Sequence, residues 1–458
     1  MTEEKTGFAY FKQVGIGALA GVVTLGLIIA GYGLSGGQPP VSQPTAAETS
    51  TPTPSQSTSA SANARQCSVA EQVGAFTPER LQAIVINAKT DEVLFDRSSD
   101  IPASTASTMK LLTAAAALNT LGPNYRADTR VYQDATDPGT IILVGGGDPT
   151  LSRVAAGKQS VYRDAPKLST LAIQVTQKLA GTPITHIVVD SSLFTGPSWE
   201  PSWERSEQTQ GYMSEVTALL VDGDRSNPGA ETSPRSTSPV LNAGKYFRTA
   251  LGAAAKGATI SVGIAPDDAT QIAKVSSQPI SKWIQHILQV SDNTQAEALA
   301  RLVSIDQGFD GSFSSLNAAY KKALASTQLD FTSVVFKDGS GLSDFNAVSP
   351  ATMANFMKLV YGAAGNFALI KQALPVSAES GSLASRFKGD NLDAAGKVHA
   401  KTGWIKKGYT LVGYTDAKDT TPLLFAVYAL GTVTEETKQK IDNLVTGFYR
   451  CGDQLSNE

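Results

Sequence analysis

Three short stretches of this chain carry the residue types of nucleophilic acyl transfer. Ser107-Thr108-Met109-Lys110 opens the run "STMKLLTAAAAL", Ser291-Asp292-Asn293 stands directly before "TQAEALARLVS", and Lys401-Thr402-Gly403 lies within "GKVHAKTGW". A serine hydroxyl is a weak nucleophile until a neighbouring base takes its proton. On a helix, positions i and i+3 share one face, so Lys110 can reach Ser107. An ordinary lysine, with a pKa of about 10.4, stays protonated at neutral pH, and a second cation close by would lower that value. Lys401, on a rigid element, is a candidate for that cation, and Ser291 and Asn293 supply further hydroxyl and amide groups.

Singly, each stretch has a plain structural explanation. Ser and Asp cap helices, and a K-T-G can be an exposed strand end. The first motif recurs as Ser385-Arg386-Phe387-Lys388, with no long apolar helix after it. S-x-N recurs at Ser61-Ala62-Asn63 and Ser315-Leu316-Asn317. The ordered set S-x-x-K, S-D-N, K-T-G is more specific, because it is shared by penicillin-binding proteins and class A β-lactamases.

The pattern around these residues predicts the elements that must hold them. "LQAIVINAKTDEVLFDR" reads as two short strands around a polar turn at Lys89 to Glu92, followed by the helix that begins near Ser107. Arg126 to Val144 is strand-like and ends in "GGGDPTL", and "ITHIVVDSSLF" is another apolar strand. "VDGDRSNPGAETSPRSTSP" reads as loop. Helical spacing returns at "ISKWIQHIL" and "NTQAEALARLVS". Three antiparallel strands are expected in "GKVHAKTGW", "GYTLVGYTD" and "PLLFAVYAL", and a last helix places Ile441, Leu444, Val445 and Phe448 on one face. Strands and helices at both ends around a distinct middle predict an α+β domain interrupted by an insertion.

Composition removes several function classes. A net charge of −3 with no basic stripe excludes a nucleic-acid partner. His186, His286 and His399 are far apart and in no ligand spacing, so neither a metal site nor a Ser-His-Asp triad is expected. No cofactor is called for. Cys67 and Cys451 border the patterned region: in an oxidising compartment they would tie its two ends together, the alternative being two unpaired thiols.

The N-terminal part reads as a delivery device. Residues 1–13 form a cytoplasmic tail, and Val14 to Leu34 is a charge-free apolar span of about 31 Å as a helix, enough to cross a bilayer. Lys5 and Lys12 precede the span and no basic residue follows until Arg65, which keeps the N-terminus inside. An uncleaved single-pass signal anchor is favoured over a cleaved signal peptide, whose apolar region is normally shorter. Either way the bulk of the protein is exported, to the outer face of the cell membrane or beyond it. Residues 35–66 are Ser/Thr/Pro-rich and read as a flexible linker.

The sequence resembles the D-alanyl-D-alanine carboxypeptidase/endopeptidase family, the class C low-molecular-mass penicillin-binding proteins. "LVGGGDPTL", "VVDSSLFTGPSWEPSW", "VSDNTQAEALAR", "DGSGLSDFNAVSP", "SGSLASRF" and "AKTG" carry the likeness, in that family's order, over roughly residues 80–448. The resemblance implies a penicillin-recognising, β-lactamase-like domain (antiparallel sheet flanked by helices) at 67–127 and 279–458, with an inserted domain at 128–278 and no third domain within it. It also implies the chemistry. Ser107 attacks the carbonyl between two D-alanines, Lys110 takes its proton, and Ser291 and Asn293 relay protons and hold the substrate amide. Lys401 supplies positive charge, Thr402 binds the terminal carboxylate, and the backbone N–H groups of Ser107 and Trp404, flanking Gly403, form the oxyanion hole. The substrates are peptidoglycan stem peptides and, for endopeptidase action, cross-links; β-lactams are covalent inhibitors. Trp404 stands where Thr is common after K-T-G, and Asp344 where Arg is common. The rival readings are a β-lactamase or esterase with the same acylation, and a catalytically inactive membrane-tethered wall-binding module.

Overall fold

The computed structural model describes residues 65–457. The expected tail at 1–13, the apolar span at 14–34 and all but the last two residues of the 35–66 linker lie outside them. Among the described residues no helix is long and apolar enough to cross a membrane.

Among the described residues ten strands divide into two sheets: β1 (Arg80–Asn87), β2 (Val93–Arg97), β3 (Asp128–Gln133), β4 (Thr140–Val144), β5 (His186–Asp190), β6 (Thr259–Val262), β7 (Thr270–Ser276), β8 (Val398–Ile405), β9 (Gly408–Asp416) and β10 (Pro422–Leu430). The first sheet runs β2-β1-β10-β9-β8, so its strands come from the two ends of the described chain. All its pairings are antiparallel, with Ile84 opposite Ala426, Val427 opposite Leu411 and Gly403 opposite Thr410. Every residue of β10 is buried. The two-residue side-chain period then sorts them between two cores. Leu424, Ala426 and Tyr428 join Ile84 and Val412 on the face covered by the helix Pro350–Tyr361. Leu423, Phe425 and Val427 join Val85 and Leu411 on the opposite side, where Ile441, Leu444, Val445 and Phe448 of the helix Glu435–Cys451 cover them. The i, i+3, i+4, i+7 stripe of that helix therefore seals one face of the sheet, as its spacing requires.

The helix Met109–Thr120 is of the other kind. Ten consecutive residues from Met109 to Leu118 are buried, so it has no solvent face. Its run Ala114–Ala117 is what allows neighbours to close in on every side. These include the helices Asn293–Asp306, Ile280–Val290 and Leu316–Ala323.

The second sheet runs β6-β5-β4-β3-β7 and is built from the stretch that separates the two halves of the first. It is mixed, with β4-β5 and β5-β6 parallel and β3 antiparallel to β4 and β7. The helices Leu168–Leu179 and Pro239–Leu251 pack on it through Leu171, Val175 and Phe247, and neither was among the expected elements. "VDGDRSNPGAETSPRSTSP" is not free loop throughout: Arg225 pairs with Arg235 across it, and the helix begins at Pro239. The result is an α+β fold with a second domain inserted into the first.

Cys67 and Cys451 form a disulfide with their Cα atoms 5.4 Å apart. It ties the N-terminal end of the described chain to the sealing helix, next to the pairing of Cys67 with Leu455. Replacing both cysteines by serine is expected to lower stability by about 2–4 kcal/mol in denaturant titration. Free-thiol titration of the unfolded, unreduced protein should find none, and two reactive thiols would overturn the pairing.

Candidate active site

Ser107 sits in a single 3₁₀ turn, Ala106–Thr108, that runs into the buried helix. The turn is reached through Ala106 in the left-handed region (φ 45°). Two glycines allow the surrounding chain to close on it. A Cβ on Gly341 would overlap the Ala106 carbonyl, and one on Gly403 would overlap Thr410 Oγ1 and crowd Thr105 O and Ala106 Cβ. Thr410 Oγ1 donates to Thr105 O at 2.7 Å, which pins β9 to the same turn. The glycine of K-T-G is thus the residue that lets the edge strand β8 lie against the serine.

Lys110 is fully buried, and its Nζ has three neighbours: Ser107 Oγ at 2.8 Å, Asn293 Oδ1 at 2.7 Å and Ser340 O at 2.7 Å. The Asn293 amide is oriented by its other end, since Nδ2 donates to the Tyr212 carbonyl at 3.2 Å. Two of the three neighbours of Nζ are therefore acceptors only. A neutral amine has two N–H groups and one lone pair; with the N–H groups on Asn293 and Ser340, the lone pair faces the Ser107 hydroxyl. Burial pushes Lys110 down to about 8, against Glu297, Asp338 and Asp292, which favour its charged form. The expected agent was a second cation; the main one is desolvation. The repulsion between the lysines falls instead on Lys401, which burial and then the charge of Lys110 push well below the ordinary lysine range.

Lys401 Nζ donates to Ser291 Oγ at 3.0 Å and to Thr402 O at 2.8 Å. Thr402 Oγ1 donates to Ser382 Oγ at 2.7 Å, on the "SGSLASRF" segment. Trp404 follows on β8 and is half exposed. Ser291 ends the helix Ile280–Val290 in a left-handed conformation (φ 65°), and Asp292 starts the next by accepting from Gln295 N at 2.9 Å. The same carboxylate receives Arg225 Nη2 at 2.7 Å and Tyr162 OH at 2.9 Å, both from the inserted domain. The Arg225 guanidinium holds this buried carboxyl well below the usual carboxylate range, against its desolvation. All three motifs thus meet at one cleft of about 630 Å³, lined by Ser107, Ser291, Asn293, Thr402, Gly403 and Trp404.

Several contributors were given no role by the sequence. Glu297 and Asp338 lie beneath the site and organise the "DGSG" loop: Glu297 accepts from Ser340 N at 2.6 Å, and Asp338 from Gly341 N at 2.8 Å. That loop delivers the Ser340 carbonyl to Lys110. Tyr162 and Arg225 are far from Asp292 in sequence and had no signal of their own. Asp344 lies at the cleft rim in an exposed ion pair with Lys407 at 2.8 Å. The second S-x-x-K is structural at its Arg386, which pairs with Asp442 in the sheet-sealing helix.

The model of the D-Ala-D-Ala carboxypeptidase 3 (S13) family matches residues 66–234 and 224–449. The chain belongs to that family. A carboxypeptidase of Mycobacterium tuberculosis is 32% identical over 378 residues, covering 81% of each chain. The D-alanyl-D-alanine carboxypeptidase of Actinomadura sp. is 26% identical over 417 residues, covering 72% of this chain and 74% of that one. Among solved structures, penicillin binding protein 4 of Haemophilus influenzae shares the fold with a TM-score of 0.70 at 18% identity, over 83% of this chain and 98% of that one. The protein is accordingly a serine D-Ala-D-Ala carboxypeptidase of the hydrolase class.

Three outcomes follow from this geometry. Acylation of Ser107 should rise with pH and level off above about 8, where the neutral amine predominates. Lys110→Met should lower it by about 100- to 10,000-fold, the range of general-base catalysis; a wild-type rate would exclude Lys110 as the base. Gly403→Ala should displace β8 from the serine turn and cut acylation by about 100-fold while the fold persists, as a shift of about 1 Å does in other active sites. Stopped-flow acylation with a chromogenic β-lactam and circular dichroism would check both variants.

Proposed function

We propose that the enzyme hydrolyses D-Ala-D-Ala bonds of peptidoglycan stem peptides, and cross-links of the same chemistry, through an acyl-enzyme on Ser107. The three contacts of the buried Lys110 Nζ, to the Ser107 hydroxyl and to two oxygens that can only accept, are the observation that carries this reading. Lys110 takes the hydroxyl proton as Ser107 Oγ bonds to the carbonyl carbon. The backbone N–H groups of Ser107 and Trp404 stabilise the developing oxyanion. Collapse expels D-alanine, whose amine takes the proton held by Lys110 through Ser291, and water then cleaves the ester. Asn293 holds the donor amide. Thr402 and Lys401 take the terminal carboxylate, and that anion draws a proton back onto Lys401 by favouring its charged form.

β-Lactams acylate the same serine. The catalytic domain works outside the membrane, carried on the apolar span at 14–34; the Cys67–Cys451 disulfide supports an oxidising compartment.

Full-length protein in detergent, incubated with penicillin, should gain the mass of one penicillin, and the Ser107→Ala variant none. Penicillin hydrolysed without a lasting adduct would replace this reading with a β-lactamase. A folded protein that leaves penicillin intact would replace it with a wall-binding module.

A further inference from the structure

The edge strand β8 presents its two faces to different surroundings. Lys401 and Gly403 face Ser291 and the serine turn. Val398 and Ala400 lie on the other face, in the core under the helix Glu435–Cys451, and the two-residue period puts Thr402 and Trp404 on that side as well. Here the active-site cleft turns round β8. It continues past Ser382, Trp404 and Tyr409 to Glu435 and Lys438 at the start of that helix.

The walls of this arm are joined by contacts of their own. At its mouth Thr402 Oγ1 donates to Ser382 Oγ. Trp404 stands opposite Tyr409 in the strand register, with ring centroids 6.3 Å apart, and the Tyr409 hydroxyl donates to Glu435 Oε1 at 3.2 Å. Glu435, at the exposed far end, pairs with Lys438. Tyr409 is buried, whereas Trp404 is 49% exposed and is the one exposed residue of β8. A large aromatic ring left half open inside a cleft is a surface for an apolar ligand group.

We propose that this arm receives the side chain of the residue expelled from the acyl-enzyme, and that Trp404 makes it favour a long aliphatic chain over the methyl of D-alanine. The inference rests on the DD-peptidase reading above. In that reaction the scissile carbonyl oxygen lies at the Trp404 N–H and the terminal carboxylate at Thr402. The leaving residue therefore spans the stretch of β8 between them, about 7 Å along the strand. Its α-carbon stands at the mouth of the arm, so methylenes attached to it lie along Trp404 and Tyr409. A polar group at their end meets Glu435 and Lys438. The leaving group this arm fits is a D-amino acid with several side-chain methylenes, free or tied to a second peptide. The indole selects that group and takes no part in bond making.

The test uses two synthetic peptides that differ only in the leaving residue, acyl-D-Ala-D-Ala and acyl-D-Ala-D-norleucine. A fully buried methylene is worth about fourfold. Three of them in a half-open arm should raise kcat/KM of the wild-type protein for the norleucine peptide by about tenfold. Trp404→Thr should bring that ratio to about one, and Trp404→Phe should keep part of it. Because the readout is a ratio within each protein, a general loss of activity cancels. Should Trp404→Thr fail to fold, calorimetry on Ser107→Ala with both peptides gives the preference without turnover, and equal affinities there would overturn the subsite. So would equal rates in the wild type, or an unchanged ratio in Trp404→Thr. A preference for alanine that Trp404→Thr relaxes would make the indole a barrier, and the proposal would fall. If penicillin acylates Ser107 and both peptides are cleaved alike, only the subsite falls. If the protein takes no penicillin and cleaves neither peptide, the DD-peptidase reading falls with it.

Discussion

The site depends on a lysine amine held where water cannot solvate its charge. In water Lys110 would be an ammonium and useless as a base; fully buried, it is brought down to about 8. Desolvation alone would leave an amine free to point anywhere. The two carbonyl oxygens of Asn293 and Ser340 remove that freedom, because they can only accept. Burial sets the protonation state and the acceptor pair sets the direction. The rest of the architecture serves to deliver Asn293, Ser340 and Ser107 to one point from positions remote in sequence.

Each delivery has its own physical device. The serine turn is exposed to the cleft while the helix behind it is sunk in the core, which its run of alanines permits. Ser340 arrives on a loop whose amides are held by two buried carboxyls, Glu297 and Asp338. Both oppose the lowering of Lys110 when ionised, and burial pushes both of them up toward neutrality. The site thus tolerates acidic scaffolding close to its base.

The inserted domain is part of this machinery. Arg225 and Tyr162 hold Asp292, and Asp292 caps the helix that begins at Asn293. A buried ion pair of this kind adds little net stability, since desolvation offsets its attraction, but removal of one partner would leave the other uncompensated. Its effect is to fix the segment between Ser291 and Asn293, which must face Lys401 on one side and Lys110 on the other.

Much of this was legible in the residues. The period-two strands and the stripe of Ile441, Leu444, Val445 and Phe448 report burial directly, because side-chain direction alternates or rotates with fixed period. Ser107, Lys110, Ser291, Asn293 and Lys401 were marked as a set by their order. No single motif would have sufficed: K-T-G also occurs at Lys5-Thr6-Gly7. The helices Leu168–Leu179 and Pro239–Leu251 were passed over although their spacing was readable: Leu168, Leu171, Ala172, Val175 and Leu179 fall on one helical face. What only the tertiary structure decided were the partners and the electrostatics. Asp292 meets Arg225 and Tyr162, and Lys110 meets the Ser340 carbonyl, because desolvation and hydrogen-bond completion belong to a place in space. Sequence spacing specifies neighbours along one helix or strand; it carries no measure of how much water a folded chain has excluded around a charge.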